Sequence, residues 1–286
     1  MKQRWLVAII GLPLLLAVLL FCPPWATAIL VCAIAAVAAY ELLHVAGKNV
    51  PNWVYAVVCV CAAQQAMTVY RLRRFLDTEL AFPYLEESRT AELFLFPFLL
   101  VVLLFLIAIL TYGKPGAVPF ATVAVGVVGG VVFPMMYSCI LLLRMKYEYG
   151  QLYVLAPFFI AFAGDSLAMY CGKWFGKQKL TPVSPKKTWA GFYGNILGSV
   201  LGMVIFALLG NRWLGYQPNW LGLIGVGVAA NLCGQLGDLS TSLIKREVGV
   251  KDYSRLFLTH GGVLDRFDST LFIAPVVYYF VNAGLI

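Results

Sequence analysis

The sequence predicts an all-α polytopic membrane protein. Hydrophobic residues make up 62% of its 286 positions and charged residues only 12%, and the mean hydropathy is +0.85. An average soluble domain carries roughly 25% charged residues, so this chain has too few charges to cover a soluble surface. The apolar stretches recur from one end of the sequence to the other, which excludes a soluble domain held by one anchoring segment.

Uncharged stretches of the length that a helix needs to cross a bilayer, about 20 residues, recur along the chain. Trp5, Trp25, Trp53 and Trp220 lie at the ends of such stretches, where interfacial aromatic side chains are expected. We therefore predict about nine transmembrane helices, over residues 5–21, 25–40, 53–69, 93–112, 117–143, 152–172, 190–209, 220–237 and 269–284. About five of them form an N-terminal transmembrane region, residues 1–150, and the others belong to a C-terminal region, residues 151–286, whose charges gather in two long polar loops.

The distribution of Lys and Arg predicts the orientation of the chain. With nine spans, 14 of these residues fall on the side of the N-terminus and of both polar loops, and 7 fall on the other side. Because cytoplasmic loops carry an excess of Lys and Arg, we expect the N-terminus and both polar loops in the cytoplasm. The net charge of +8 suits anionic lipid or an anionic small substrate, whereas nucleic acid is excluded because no soluble basic module exists to bind it.

One polar loop, residues 237–269, concentrates acidic and basic side chains next to apolar spans. Asp238, Asp265 and Asp268 border these spans, where a carboxylate is costly and usually functional. Magnesium prefers a few carboxylates together with substrate phosphates, so a magnesium site is the alternative to a set of surface salt bridges. Asp165 lies inside an apolar span, and the same cost makes it a functional candidate rather than only a structural hydrogen-bond partner.

The other polar loop, residues 172–191, carries five lysines and no acidic residue. Such a loop suits a polyphosphate or anionic lipid head groups, and its alternative role is to signal topology alone. The pattern GxxxxGK[ST] does not occur in it, which excludes a Walker-type nucleotide loop.

At these positions the chain resembles the phosphatidate cytidylyltransferases, also called CDP-diacylglycerol synthases. The resemblance covers about residues 160–270, and the N-terminal half resembles the family only in being apolar. Where the family usually has Pro-Gly before its His-Gly-Gly, this chain has Leu258-Thr259. The matching positions are Gly164-Asp165-Ser166, Gly172-Lys173, Phe175-Gly176-Lys177, Ser184-Pro185-x-Lys187-Thr188-x-x-Gly191, Ser242-x-x-Lys245-Arg246-x4-Lys251-Asp252-x-Ser254 and His260-Gly261-Gly262-x-x-Asp265-Arg266-x-Asp268.

The resemblance implies transfer of the cytidylyl group of CTP to phosphatidate, which gives CDP-diacylglycerol and pyrophosphate among the lipids of the bacterial cytoplasmic membrane. It also implies Mg²⁺, in a two-metal site whose second ion could be monovalent; a homodimer is left open. Asp238, Asp265 and Asp268 are the expected metal ligands, and with Lys251 and Asp252 they are the expected catalytic residues. The expected substrate-binding residues are Asp165, Ser184, Lys187, Thr188, Ser242, Lys245, Arg246, His260 and Arg266.

Two other functions compete with this one. An anion transporter with a basic cytoplasmic vestibule predicts charges on both membrane faces, whereas the candidate residues here lie on one predicted face apart from Asp165. Another membrane lipid-phosphate enzyme, such as a CDP-alcohol phosphotransferase or a lipid kinase, is the second alternative. The Asp-Gly followed by a distant Gly-x3-Asp-x3-Asp that is typical of CDP-alcohol phosphotransferases is absent from the sequence.

Overall fold

The structure, a computed structural model, describes residue 11 and residues 13–76, 83–257 and 261–286, with the backbone alone for residues 83–90. Over these ranges the chain is helical and contains no β-strand; Lys179 and Thr188 form an isolated antiparallel bridge. The chain divides into two compact units. The first contains the described residues up to Met145 together with Val248–Arg266, and the second contains Lys146–Glu247 and Phe267–Ile286.

Three long helices and a shorter, interrupted one build most of the first unit. Residues 13–20 are helical, and the Pro23-Pro24 break then starts the next helix, because proline suits the first helical turn. The helices are α1 (Pro24–Ala46), α2 (Asn52–Leu76), α3 (Pro83–Thr111), α4 (Phe120–Val127), a π-helical turn (Val128–Val132) and α5 (Phe133–Arg144).

Small residues bring the helices of the first unit close together. Ala35, Ala38 and Ala39 on α1 are completely buried. Gly129 in the π-helical turn packs against them, and a Cβ at this position would lie 3.4 Å from the Cα of Ala39. Close backbone approach of this kind is the usual way in which helices associate in lipid, where no hydrophobic force drives them together.

The second unit contains α6 (Gly150–Tyr153), α7 (Ala156–Phe175), α8 (Trp189–Leu214), α9 (Trp220–Val248, to Glu247 in this unit) and α10 (Leu264–Asn282, from Phe267 in this unit). Glycines on one face of α8 allow α7 to pack closely against it. A Cβ on Gly198 would lie 2.5 Å from the carbonyl oxygen of Ala163, and one on Gly202 would lie 2.8 Å from the Cβ of Ala163. This contact places the polar residues in the middle of α7 opposite those of α8.

Seven helical segments are long and apolar enough to cross a membrane, and they match the second to the eighth predicted spans. The predicted first span, residues 5–21, lies mostly outside the described residues. Helix α10 covers the predicted last span, but it carries Asp265, Arg266 and Asp268 in its first turns and is not among the seven. The all-helical, membrane-crossing architecture is therefore confirmed, whereas the count of nine and the division at residue 150 stay predictions. The seven segments are Pro24–Ala46, Asn52–Leu76, Ala91–Thr111, Phe120–Arg144, Gly150–Phe175, Trp189–Leu214 and Trp220–Val248.

Candidate active site

An ion pair between the lysine-rich loop and α9 lies at the centre of the candidate site in the second unit. The ammonium of Lys187 lies 2.6 Å from a carboxylate oxygen of Asp238. The backbone of the lysine is held on both sides, because its N–H donates to the carbonyl of Ser184 at 3.0 Å and its carbonyl accepts from the N–H of Leu180 at 3.0 Å. The loop thus presents Lys187 from a fixed backbone.

A cavity of about 470 Å³ opens beside this ion pair. Its charged lining consists of three lysines, Lys173, Lys186 and Lys187, and two carboxylates, Asp165 and Asp238. The lysines favour an anion such as a phosphate group, while the two carboxylates favour a cation. The cavity therefore has the charge distribution that a phosphate and a metal ion require together.

The N-terminus of α8 borders the same cavity and adds to its preference for anions. Thr188 is the N-cap of this helix, and its buried hydroxyl oxygen accepts a hydrogen bond from the N–H of Gly191 at 3.1 Å. Both residues line the cavity. The first N–H groups of a helix and its macrodipole attract negative charge, so the cap positions Thr188 at an anion-binding end.

A chain of buried hydrogen bonds joins α7, α8 and α9 behind the cavity. Asn195 donates to a carboxylate oxygen of Asp165 at 3.2 Å. Asn231 donates to the side-chain oxygens of Asn195 and Ser199, and it accepts from Gln235 at 2.7 Å. All of these residues except Ser199 also line a small space of about 10 Å³ next to the cavity, enough for about one water molecule. The three helices are thereby joined by polar contacts at the depth of their apolar spans.

Asp268 on α10 lies close to Asp238 on α9. Asp268 precedes the apolar part of its helix. Its burial and the neighbouring Asp238 carboxylate raise its pKa to about 7. The buried ammonium of Lys245 acts in the opposite direction. Two hydroxyl groups extend the cluster. The hydroxyl of Thr241 donates to Asp268 and that of Ser242 donates to Asp238, each at 3.4 Å.

In the first unit, Asp265 is bound to the backbone of the loop that precedes α10. One of its carboxylate oxygens accepts hydrogen bonds from the N–H of Tyr253 at 2.8 Å and from that of Gly262 at 2.9 Å. Its side chain is buried, whereas Lys251 and Arg266 nearby in sequence are exposed. Asp265 therefore shapes the signature loop, which is the segment 249–263 between α9 and α10. The sequence interpretation did not include this role.

The structure places the predicted site residues in five different settings. Asp165, Lys187, Thr188 and Asp238 line the cavity. Ser242 and Asp268 lie beside Asp238, and Lys245 lies near Asp268. In the second unit Ser184 supports the backbone of Lys187, and Arg246 is exposed. The first unit holds Lys251, Asp252, Asp265 and Arg266, and His260 lies outside the described residues.

The prediction of a metal site at Asp238, Asp265 and Asp268 is not tested by the structure. Among the residues described, no group of three or more His, Cys, Asp or Glu side chains is arranged to hold a metal ion. Asp238 and Asp268 belong to the second unit and Asp265 to the first.

Sequence reasoning missed five polar residues of the two units. Asn195, Ser199, Asn231 and Gln235 form the chain behind the cavity, and each interrupts an apolar span. On α9 the spacing of Asn231, Gln235 and Asp238 places them on one helical face, a signal that the sequence contains. The fifth is Glu41 on α1, which is 2% exposed and hydrogen-bonded to the signature loop.

Comparison with known proteins relates the whole chain to one family. The profile of the Cytidylyltransferase family matches residues 2–283. A Haemophilus influenzae protein named phosphatidate cytidylyltransferase is 40% identical over 146 residues, 48% of this chain and 51% of the relative. A protein of the same name from Synechocystis sp. is 41% identical over 134 residues, 46% of this chain and 44% of the relative. One from Bacillus subtilis is 34% identical over 170 residues, 59% of each chain. The matches thus span about half the length of these curated relatives.

Proposed function

Because this chain belongs to the cytidylyltransferase family, we propose that it transfers the cytidylyl group of CTP to phosphatidate, giving CDP-diacylglycerol and pyrophosphate in phospholipid synthesis. The observation that carries the proposal is the cavity of the second unit, in which three lysines and the N-terminus of α8 accompany Asp165 and Asp238. The cavity lies at the ends of apolar helices, where a lipid phosphate and a water-soluble nucleotide can both arrive. The names of the relatives support the choice of phosphatidate as the acceptor.

The reaction suits a site that positions charges and carries no covalent nucleophile. An oxygen of the lipid phosphate attacks the α-phosphorus of CTP, and the bond from this phosphorus to the β-bridging oxygen breaks with its electron pair leaving on pyrophosphate. No general base is needed, because a phosphate monoester, with a second pKa of about 6, is already ionised near neutral pH. Holding the two anions together and neutralising their charge is the main catalytic requirement.

The positive groups of the site meet this requirement. Lys187, with Thr188 and Ser184 of the same loop, holds the CTP phosphates or the phosphatidate head group. Charge-assisted hydrogen bonds of this kind are the strong ones. The remaining basic residues, Lys245, Arg246, Lys251 and Arg266, hold the triphosphate and the pyrophosphate leaving group. Asp252 orients a lysine, and Asp165, Ser242 and His260 complete the substrate-binding set.

The carboxylates of the site fit a magnesium ion. Asp238 lies near enough to Asp268 to raise its pKa, and a cation shared by two such carboxylates relieves their repulsion. We assign these two residues and Asp265 to metal binding. A bound Mg²⁺ supplies Lewis-acid stabilisation of phosphate charge, and a second, monovalent ion is compatible with the same donors.

We further propose that the protein lies in the bacterial cytoplasmic membrane with its N-terminus and both polar loops in the cytoplasm. The uneven distribution of Lys and Arg, 14 against 7, supports this orientation. Reporter fusions after Ile286 and within residues 178–183 are expected on opposite sides of the membrane. Reporters on the same side would contradict the nine-span topology. A homodimer is compatible with this arrangement and is testable by light scattering in detergent.

Labelled CTP incubated with the purified protein, magnesium and phosphatidate tests the proposed activity. Labelled CDP-diacylglycerol and stoichiometric pyrophosphate are the expected products. Diacylglycerol in place of phosphatidate is the matched control, because it lacks the attacking phosphate. An anion transporter would move a labelled anion into proteoliposomes without forming a lipid product. A lipid kinase would label the lipid from the γ-phosphate, and either result would contradict the proposal.

A further inference from the structure

Two carboxylates in the first unit hold the same two stretches of the signature loop. Asp265 accepts from the N–H of Tyr253 and of Gly262. Glu41 accepts from the hydroxyl of Ser254, the residue after Tyr253, and from the N–H groups of Val263 and Leu264, the two residues after Gly262. The neck of the loop, residues 253–254 against residues 262–264, is therefore closed by two side chains and not by backbone pairing alone.

The two carboxylates together form a clamp on the neck of the loop. Glu41 is its distant member, because it lies more than two hundred residues earlier in the chain. Its Oε1 accepts from the Ser254 hydroxyl at 2.6 Å and from the Val263 N–H at 3.0 Å, and its Oε2 accepts from the Leu264 N–H at 2.8 Å. The side chain is 2% exposed. Because Val263 directly precedes α10 and Leu264 begins it, Glu41 caps this helix from another helix and satisfies N–H groups that have no partner within α10.

The glycines of the His-Gly-Gly sequence fit the clamp closely. A Cβ on Gly262 would overlap the carboxylate of Glu41, and Gly261 has φ +80, the left-handed region in which a side chain is strained. A Cβ on Gly261 would also lie 2.7 Å from the carboxylate of Asp265. The two glycines thus let the loop backbone come close to Asp265 and Glu41, two carboxylates of the protein itself.

We propose that Glu41 is a positioning residue for the cytidylyl transfer. It acts through the loop neck, which keeps Lys251 and Asp252 before the neck at a fixed spacing from Asp265 and Arg266 after it. The proposal rests on the function proposed above, in which the basic members of this set hold the CTP phosphates. Nothing in the sequence signature includes Glu41, because it lies in the apolar N-terminal half.

Glu41→Gln tests the proposal with little change in volume. The amide keeps one acceptor oxygen, but its NH₂ group replaces the other oxygen. That NH₂ group then faces either the Leu264 N–H or both the Ser254 hydroxyl and the Val263 N–H. We expect kcat/KM for CTP to fall about tenfold or more, as for loss of a charge-assisted hydrogen bond, whereas KM for phosphatidate stays near the wild-type value. Ser254→Ala removes one hydrogen-bond donor and leaves the Glu41 carboxylate in place. It should therefore lower kcat/KM for CTP less than Glu41→Gln does.

Leu42→Ala is the matched control for stability. Leu42 follows Glu41 on α1 and is 1% exposed, so its truncation opens a cavity and lowers Tm without altering the clamp. Glu148→Gln, the same chemical change at an exposed carboxylate, controls for charge. If Glu41→Gln reduces CTP turnover only in proportion to its loss of Tm, as Leu42→Ala does, Glu41 is merely structural and the proposal is overturned.

Hydrogen–deuterium exchange without any substrate separates this proposal from the proposed function. Glu41→Gln should speed exchange at Val263 and Leu264 and, through the neck, at Tyr253 and Gly262, while Leu42→Ala leaves these amides protected. Unchanged exchange at the neck in Glu41→Gln overturns the clamp, whatever the activity. Wild-type protein that fails to convert CTP overturns the proposed function, and faster exchange at the neck would still support the clamp.

Discussion

The two units use buried carboxylates in different ways. In the first unit, both oxygens of Glu41 and one oxygen of Asp265 accept hydrogen bonds from backbone N–H groups, so these carboxylates shape a loop. In the second, Asp165 and Asp238 line a cavity of about 470 Å³, and Asp238 pairs with the ammonium of Lys187. Backbone donors cannot leave when a ligand arrives, whereas a lysine side chain can exchange one anion for another.

The difference shows that a carboxylate beside an apolar span has two uses that sequence position alone does not separate. Asp238 and Asp265 both border such spans and both match the family signature. Their partners differ: Asp238 pairs with a lysine side chain, whereas Asp265 accepts from backbone amides. Function and loop structure should therefore respond differently when each carboxylate is changed, and the following experiments measure that difference.

Removal of divalent cations should have the largest effect. EDTA is expected to abolish CDP-diacylglycerol formation, and added magnesium to restore it, because the proposed site relies on a cation to offset the repulsion between Asp238 and Asp268. Product formation from labelled CTP measures this. Activity indifferent to EDTA would remove metal from the mechanism and leave Lys187 as the partner of Asp238.

Asp238→Asn should nearly abolish turnover with little change in Tm. The asparagine keeps the size but removes the charge that faces the cavity, and we expect kcat to fall by at least about 100-fold. Asp265→Asn should also lose turnover if it binds metal, and should in addition speed hydrogen exchange at Tyr253 and Gly262, which Asp238→Asn should leave protected. The double variant should lose little more than either single one, since residues acting as a unit are not additive.

Near-normal transfer by Asp238→Asn would contradict its place in the site. Equal exchange rates at the loop neck in both variants would remove the contrast between the two carboxylates. Glu148→Gln again serves as the control for a change of charge at an exposed position.

Lys187→Ala should have an intermediate effect. Loss of one charge-assisted hydrogen bond costs about 1.5–3 kcal/mol, so kcat/KM should fall roughly tenfold or more while the protein stays folded. Steady-state kinetics with CTP and phosphatidate varied in turn identify the substrate that the lysine holds. Lys177→Ala, in the same loop but outside the lining of the cavity, is the matched control. An unchanged kcat/KM would mean that the lysines of this loop only help to set the orientation of the chain in the membrane.

Ser199→Ala should have the smallest effect. Its buried hydroxyl donates to the carbonyl of Ile160 at 2.8 Å and accepts from Asn231. Hydrogen bonds between membrane helices average about 0.6 kcal/mol, so Tm should fall slightly and kcat/KM should stay close to the wild-type value. A large loss of turnover at unchanged Tm would instead place the chain behind the cavity within the catalytic site.

Much of the molecule could be predicted from local sequence. Seven of the predicted spans match apolar helices, and the i, i+4 relation of Asp238 and Ser242 appears as a hydrogen bond at 3.4 Å. Both follow from a residue's own neighbours in the chain, because hydropathy decides whether a helix can enter lipid and helix geometry decides which side chains share a face. Lys187 and Asp238 were each identified as candidates from their own loops, although their ion pair was not predicted.

The sequence by itself determined the membrane class, the positions of most spans and the family signature. Only the tertiary structure decided that Glu41 reaches the signature loop, that Asn195 meets Asp165, and that Lys187 pairs with Asp238. Hydropathy and motif spacing are local properties, whereas these pairs join helices that are distant in the chain. The meeting of Asn195 and Asp165, for example, depends on glycines such as Gly198 that let α7 and α8 pack closely, and no local pattern specifies which helices will pack together.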